Sequence, residues 1–136
     1  MKLNISPTTT IAAIQEEFQD KYPHLSLRFF QKGHGEHKAT HSKFLYNDTG
    51  LRLSAISPDL KQGEIDITPT VSTWSVEKTF EEKFGLHVQV FRQEGALWLE
   101  TSTSDDWTLE KQNRVAYNSL HQDVDDEPEI DYREQA

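Results

Sequence analysis

The feature that most constrains the fold is a pattern of residues that recurs 62 positions further along the chain. The run LNISPT, which begins at Leu3, is matched by IDITPT, which begins at Ile65. After a gap of one residue, the runs from Leu25 and Leu86 continue the match. Either a duplication or the convergence of two similar elements explains this pattern, and both predict two copies of one structural unit. The apolar matches between the runs are Ile14 with Val76, Phe18 with Phe80 and Tyr22 with Phe84.

Each copy is predicted to form a strand, a helix and a second strand. Apolar and polar residues alternate over residues 2–5 and 64–67, which indicates half-buried strands. A proline follows each strand and ends it, because proline has no N–H to donate. Alternation returns at residues 25–30 and 86–92, which are the predicted second strands. Between the strands, apolar residues recur every three or four positions and predict one buried helix face per copy: Ile11, Ile14, Phe18 and Tyr22, then Val76, Phe80 and Phe84.

Two such units predict an α+β fold, with a mainly antiparallel sheet and two helices on one of its faces. This is a ferredoxin-like arrangement of a duplicated βαβ unit, extended by edge strands and by a C-terminal helix over residues 107–120. One edge strand is predicted at Leu97–Glu100. The turn at Asn47-Asp48-Thr49-Gly50 predicts either a hairpin of residues 44–46 and 51–53 or a short helix at Leu53–Ile56. The alternative fold is a pair of βαβββ modules, which requires three strands after each helix.

Length and charge predict one domain followed by a tail. A chain of 136 residues is the size of one domain. We place this single α+β domain at residues 1–120, with the repeat at 2–30 and 64–92 and an insertion at 31–63. The last sixteen residues hold seven acidic residues and one arginine. Residues 121–136 are therefore predicted to be a disordered acidic tail.

Composition excludes several classes of function. The chain has no cysteine, which excludes disulfides, thiolate zinc sites and iron–sulfur clusters. Its net charge of −9 disfavours nucleic acid as a partner, because phosphates are repelled. No apolar run is long enough for a signal peptide or a membrane span, so we expect a cytoplasmic protein. The GxSxG, HExxH and P-loop motifs do not occur, which favours a non-enzymatic protein.

Three runs in the second half of the chain have distinctive sequences: FGLHVQVFR from Phe84, WLET from Trp98 and DWTLEKQN from Asp106. With these runs, residues 64–113 resemble a group of small uncharacterised bacterial proteins. The resemblance implies a stand-alone bacterial protein. It brings no activity, ligand or site residue to this chain.

The first candidate site is the face of the predicted sheet that no helix covers. Alternation places polar side chains and two large aromatic side chains on this face. Such a mixture is typical of a protein-binding surface. The sequence therefore predicts a non-enzymatic interaction or regulatory module that binds a protein partner or a second copy of itself through Arg28, Phe30, His87, Gln89, Phe91 and Trp98.

The second candidate site is a histidine-rich segment. His34, His37 and His41, with Glu36 between them, offer three imidazoles and a carboxylate, which zinc and other transition metals accept as ligands. Two glycines disfavour a helix that would align these side chains, and neighbouring lysines repel a cation. The alternative function is therefore a metal-binding or pH-responsive protein, with catalysis left open.

Overall fold

The computed structural model describes residues 1–33, 36–37 and 42–121, which form five strands and four α-helices. The predicted α+β class with antiparallel sheets is confirmed. In chain order the elements are β1 (Lys2–Ile5), α1 (Ile11–Lys21), β2 (Leu25–Phe30), α2 (Leu53–Ile56), β3 (Gly63–Asp66), α3 (Thr73–Phe84), β4 (His87–Glu94), β5 (Leu97–Glu100) and α4 (Leu109–Leu120).

Three of the helices begin at a hydroxyl side chain. The side-chain oxygens of Thr10, Ser72 and Thr108 accept the N–H groups three residues further on, at 3.1 Å in each case. Each bond satisfies one of the amides that have no partner within the first helical turn. At its other end, α3 stops at Gly85, whose φ of 67° is the left-handed conformation that glycine adopts most easily.

The strands form two antiparallel sheets. One contains β1 and β3, and the other has the order β2-β4-β5. The sequence predicted a single, mainly antiparallel sheet built from the strands of the two units. The structure divides these strands into two pairs, because each strand pairs with its own counterpart in the other unit.

A local twofold axis relates the two units. Leu3 and Ile65 are equivalent in the repeat, and they lie directly opposite each other in the β1–β3 ladder. Arg28 and Gln89 are also equivalent when the gap of one residue between the two runs is taken into account. They lie opposite each other in the β2–β4 ladder. The axis therefore passes through the middle of both strand pairs.

The hydrogen bonds at the helix starts follow the same symmetry. The Ile11 N–H donates to the Leu51 carbonyl, and the equivalent Thr73 N–H donates to the Trp107 carbonyl. The Leu53 N–H in turn donates to the Thr9 carbonyl. These bonds attach α2 to the start of α1 as α4 is attached to the start of α3. The hairpin predicted from residues 44–46 and 51–53 is therefore wrong, since residues 51–53 pair with the start of α1, and the alternative short helix forms.

A second pair of equivalent hydrogen bonds shows which segment pairs with the second strand of each unit. The Tyr46 N–H donates to the Phe29 carbonyl at 2.9 Å, and the Thr101 N–H donates to the Val90 carbonyl at 3.2 Å. In the first unit a single bridge between Phe30 and Leu45 takes the place of β5. Each long helix is thus followed by two strand segments within the described residues, and the alternative of paired βαβββ modules does not form.

The core lies between the sheets and the long helices. Every side chain predicted for the helix faces is buried, and Phe18 and Phe80 are fully inaccessible to solvent. The rings of Phe29 and Phe80 meet edge to face with centroids 5.9 Å apart, a favoured aromatic geometry. The buried strand residues are Leu3, Ile5, Leu25, Leu27, Phe29, Ile65, Ile67, Leu86, Val88 and Val90.

Two further sequence predictions concern the ends and the environment of the chain. The predicted acidic tail lies outside the described residues, apart from His121. Within the described part of the chain, no helix combines the length and the apolar character needed to cross a membrane.

Candidate functional site

All six residues of the predicted binding face lie on one face of the β2-β4-β5 sheet. Arg28 and Phe30 alternate with buried residues on β2, and His87, Gln89 and Phe91 alternate with them on β4. Trp98 lies opposite Gln93, which shares this face by the same alternation. The structure therefore brings the predicted residues together.

The prediction that this face is open to solvent is wrong at its centre. Phe30 is 3% exposed, Phe91 is 9% exposed and Gln89 is inaccessible. The physical reason is that other groups cross the face, which alternation along a strand does not reveal. The guanidinium of Arg28 lies over the Phe91 ring, 4.1 Å from its centroid. Gly33 passes so close to His87 that a Cβ atom there would lie 2.8 Å from the imidazole Nδ1.

Arg28 and Trp98 remain at the accessible rim of the sheet. The guanidinium carbon of Arg28 is 6.0 Å from the Trp98 ring centroid, within reach of a cation–π contact. Burial lowers the pKa of Arg28, and the negative charge of Glu100 on β5 opposes this effect. The arginine therefore joins two aromatic rings and one carboxylate across three strands.

The outer edge of β5 is the most exposed apolar part of the sheet. Leu97 is 64% exposed and Leu99 is 42% exposed. Within the described residues, β5 pairs with β4 alone. The Thr101 N–H bonds to β4, and backbone groups of successive residues in an antiparallel ladder point alternately towards one neighbour and the other. The N–H and C=O groups of Trp98, three residues before Thr101, therefore point towards the outer edge.

A polar cluster lies buried at the other end of β5. The Glu77 side chain on α3 accepts the Val90 N–H at 2.9 Å and the Gln89 side-chain amide at 3.3 Å. Glu77 thereby satisfies the Val90 N–H, which lies one residue beyond the part of β4 that pairs with β5. Burial raises the pKa of Glu77 to about 8, and the nearby charge of Asp105 adds to this effect, although the Val90 N–H opposes it.

Glu77 is not among the residues predicted from the sequence, although the helical period contains the signal. The buried positions on α3 are Thr73, Val76, Glu77, Phe80 and Phe84, so Glu77 occupies a core position of the helix face. A carboxylate at a core position requires hydrogen-bond partners, because an isolated buried charge is very costly. Its counterpart in the first unit is Gln15, whose amide donates to the Leu27 carbonyl at 2.9 Å.

Asp105 is the second buried carboxylate of this region, and one residue of the histidine-rich segment contacts it. The His37 N–H donates to Asp105 Oδ2 at 2.8 Å, and His37 Nδ1 lies 2.9 Å from Oδ1. Glu36 Oε2 lies 3.8 Å from His37 Nε2. Of the three histidines predicted to bind a metal, the structure places His37 at this cluster, whereas His34 and His41 lie outside the described residues.

Arg92 joins α4 to the sheet next to this cluster. Its guanidinium donates to the Gln112 side-chain oxygen at 2.9 Å and to the Ser104 hydroxyl at 3.1 Å. The Arg92 Nε lies 3.5 Å from Glu94 Oε2. Burial lowers the pKa of Arg92, and Glu94 opposes this effect. These bonds hold the start of α4 against β4, which positions Asp105 at the base of the helix.

A separate cleft of about 530 Å³ lies between the end of α1 and α4. Its wall includes Tyr117, whose ring stacks on the His121 imidazole with centroids 4.0 Å apart. The charged residues lining the cleft are Lys21, Glu110 and Arg114, and this mixture of signs favours no one class of charged ligand.

Comparison of the chain with protein-family models, curated proteins and solved structures gives no match. The resemblance of residues 64–113 to small uncharacterised bacterial proteins therefore stays a prediction.

Proposed function

We propose that this protein is a non-enzymatic interaction module that binds a second copy of itself through the outer edge of β5. The observation that carries this proposal is an edge strand with two exposed leucines, Leu97 and Leu99. Exposed edges are templates for pairing with another chain, and proteins that avoid such pairing commonly place charged residues on them. Here the strand has the sequence LWLE and carries one charge.

The backbone of the edge supports pairing between identical strands. The N–H and C=O groups of Trp98 face outwards, so a second β5 strand in antiparallel orientation can exchange hydrogen bonds with them. The leucines of the two copies would then lie side by side on one face of a continuous sheet. Cross-strand apolar pairs of this kind stabilise a ladder by roughly 0.2–1 kcal/mol each.

The distribution of charge favours a second copy at this position. The chain carries a net charge of −9, so two copies repel each other over most of their surface. The two carboxylates next to this edge, Glu94 at the end of β4 and Glu100 on β5, each have an arginine nearby. Glu94 Oε2 lies 3.5 Å from Arg92 Nε, and Glu100 interacts electrostatically with Arg28. The edge is therefore both apolar and locally close to neutral, which lowers the repulsion between approaching copies.

The proposed dimer is weak and reversible. Two four-residue strands and their leucines bury less surface than the ~1,200–2,000 Å² of a stable interface. We therefore expect a dissociation constant in the micromolar range or above. Trp98 of the predicted face lies on the pairing strand itself, and the Arg28 guanidinium lies 6.0 Å from the centroid of its ring.

A cytoplasmic location and a bacterial origin are part of this proposal. A chain without cysteine suits a reducing compartment, and the resemblance of residues 64–113 to bacterial proteins supports the origin.

Light scattering coupled to size exclusion, over a series of protein concentrations, tests the proposal. The wild type is expected to shift from monomer towards dimer as concentration rises. The double variant Leu97→Lys/Leu99→Lys is expected to stay monomeric, because lysine on an edge strand opposes pairing. Tyr117→Lys is the matched control, since Tyr117 is also exposed and apolar but lies on α4. A wild type that stays monomeric throughout, or a dimer that survives in the double variant, would contradict the proposal.

A further inference from the structure

The buried Asp105 carboxylate directs one oxygen at the backbone N–H of His37 and the other at the His37 ring. The side chain is inaccessible to solvent, and its Oδ2 accepts the His37 N–H. Oδ1 lies 2.9 Å from His37 Nδ1, in a geometry that does not form a well-aligned hydrogen bond. Burial of a carboxylate oxygen is unfavourable unless a donor or a cation compensates it. The environment of Oδ1 therefore favours a group that brings positive charge.

His37 is held in an unusual conformation that aims two of its groups at this carboxylate. Its φ of 62° lies in the left-handed region, which residues other than glycine rarely adopt. In this conformation the backbone N–H points at Oδ2, and the ring Nδ1 lies 2.9 Å from Oδ1. The ring contact lacks hydrogen-bond geometry, and Nδ1 and Oδ1 can both offer a lone pair to one cation when the imidazole proton lies on Nε2.

These two atoms are close to the separation of two ligands of one metal ion. Ligands bound to a tetrahedral ion at ~2.0–2.2 Å lie ~3.3–3.6 Å apart, so a shift of roughly half an ångström brings the 2.9 Å pair onto a common ion. Glu36 supplies a third ligand atom, and the ligand atoms of Glu36, His37 and Asp105 all lie within 4.8 Å of one another. One residue is buried and two are exposed, so the cluster is open to solvent on one side.

We propose that Glu36, His37 and Asp105 bind a divalent transition-metal ion of the zinc class. One imidazole and two carboxylates are a donor set that zinc accepts, and three protein ligands leave a position for water or another ligand. The two carboxylates contribute a charge of −2 when ionised, which a divalent ion neutralises. Bound metal would fasten residues 36–37 to the segment that leads into α4, two parts of the chain that lie 68 residues apart.

This site differs from the histidine set that the sequence predicts. It shares His37 with that set, but its other ligands are carboxylates, and Asp105 is remote in sequence. The proposed ligand set does not include His34 or His41, which lie outside the described residues. The proposal is also independent of the β5 edge, so either can fail without the other.

Isothermal titration of the chelator-treated full chain with Zn²⁺ tests the site, with Mg²⁺ as the comparison ion. The wild type is expected to bind one Zn²⁺ per chain and to prefer it to Mg²⁺. His37→Ala, Glu36→Gln and Asp105→Asn are each expected to weaken Zn²⁺ binding by at least ~10-fold. The matched controls Asp106→Asn and His121→Ala replace exposed residues of the same types and are expected to leave affinity unchanged.

Amide spectra provide the second readout, and they establish that each variant is folded. Zn²⁺ is expected to shift the His37 and Asp105 amide signals in the wild type and in the double variant His34→Ala/His41→Ala, which should retain binding. His37 is half exposed, so His37→Ala is not expected to disturb folding even if Asp105→Asn does. The proposal is overturned if the wild type does not bind Zn²⁺, if His37→Ala binds as the wild type does, or if the double variant loses binding.

Discussion

Leu3 of β1 lies directly opposite Ile65 of β3, and the two residues hold the same position in the two repeated units. Arg28 and Gln89 have the same relationship in the β2–β4 ladder. A residue on a local twofold axis meets its own counterpart, so the two units contribute equivalent residues to a shared core. Equivalent substitutions in the two units should therefore have similar effects on stability.

The first prediction concerns Phe18 and Phe80, which are equivalent and fully buried. We expect Phe18→Ala and Phe80→Ala each to lower the free energy of unfolding by about 3–5 kcal/mol, because each removes a large apolar group and leaves a cavity. Urea denaturation measures the loss. Tyr117→Ala, at an exposed position on α4, serves as the control and should change stability by less than ~0.5 kcal/mol. A loss below ~1 kcal/mol at either phenylalanine would show that the two units do not share the core equally.

The second prediction concerns the helix caps Thr10 and Ser72, which are also equivalent. We expect Thr10→Ala and Ser72→Ala each to destabilise the protein by about 1 kcal/mol, because each leaves an N–H at the helix start without its side-chain acceptor. Thermal unfolding compares them with Thr70→Ala, whose side chain is exposed. Equal stability of the control and the two cap variants would contradict the assignment of the caps.

The third prediction concerns the pH dependence of stability that Glu77 introduces. Its pKa rises from 4.5 to about 8 on folding, so the folded protein holds this proton more tightly than the unfolded chain. Below pH 4.5 both states are protonated. Between pH 4.5 and about 8 the unfolded chain releases the proton first, so Glu77 lowers the free energy of unfolding by up to ~1.4 kcal/mol per pH unit.

Glu77→Gln removes this titration and keeps an oxygen that can accept the Val90 N–H. Its free energy of unfolding, relative to the wild type, is expected to increase steadily from pH 5 to pH 8. Guanidinium denaturation at several pH values measures the difference between the two proteins, in which the other titrating groups largely cancel. A difference that is constant across this range would mean that the pKa of Glu77 does not change on folding.

Periodicity predicted the elements and the core of this protein, because both depend on residues close in sequence. The helix faces that include Phe18 and Phe80, and the alternating strands, follow from spacing alone. Strand pairing depends on contacts between the units, so alternation does not reveal that each strand pairs with its counterpart in the other unit. Local sequence does not distinguish the short helix α2 from a hairpin, because residues 51–53 pair with the start of α1.

The candidate sites were predictable in part for the same reason. Alternation correctly placed Arg28, Phe91 and Trp98 on one sheet face, but it could not show that the Arg28 side chain covers Phe91. The histidine-rich segment was recognised from its residue types. The contact between His37 and Asp105 could not be predicted, because 68 residues separate them and no local pattern links them.

The edge of β5 is proposed to pair with a second copy of the chain, and the backbone amide of Trp98 reports on this pairing most directly. Amide spectra recorded over a roughly hundred-fold range of protein concentration cover the expected dissociation constants. We predict that the Trp98 amide shifts or broadens as concentration rises, while the amides of β1 and β3 do not. Trp98 signals that are unchanged over the whole range, or that change no more than those of β1 and β3, would contradict it.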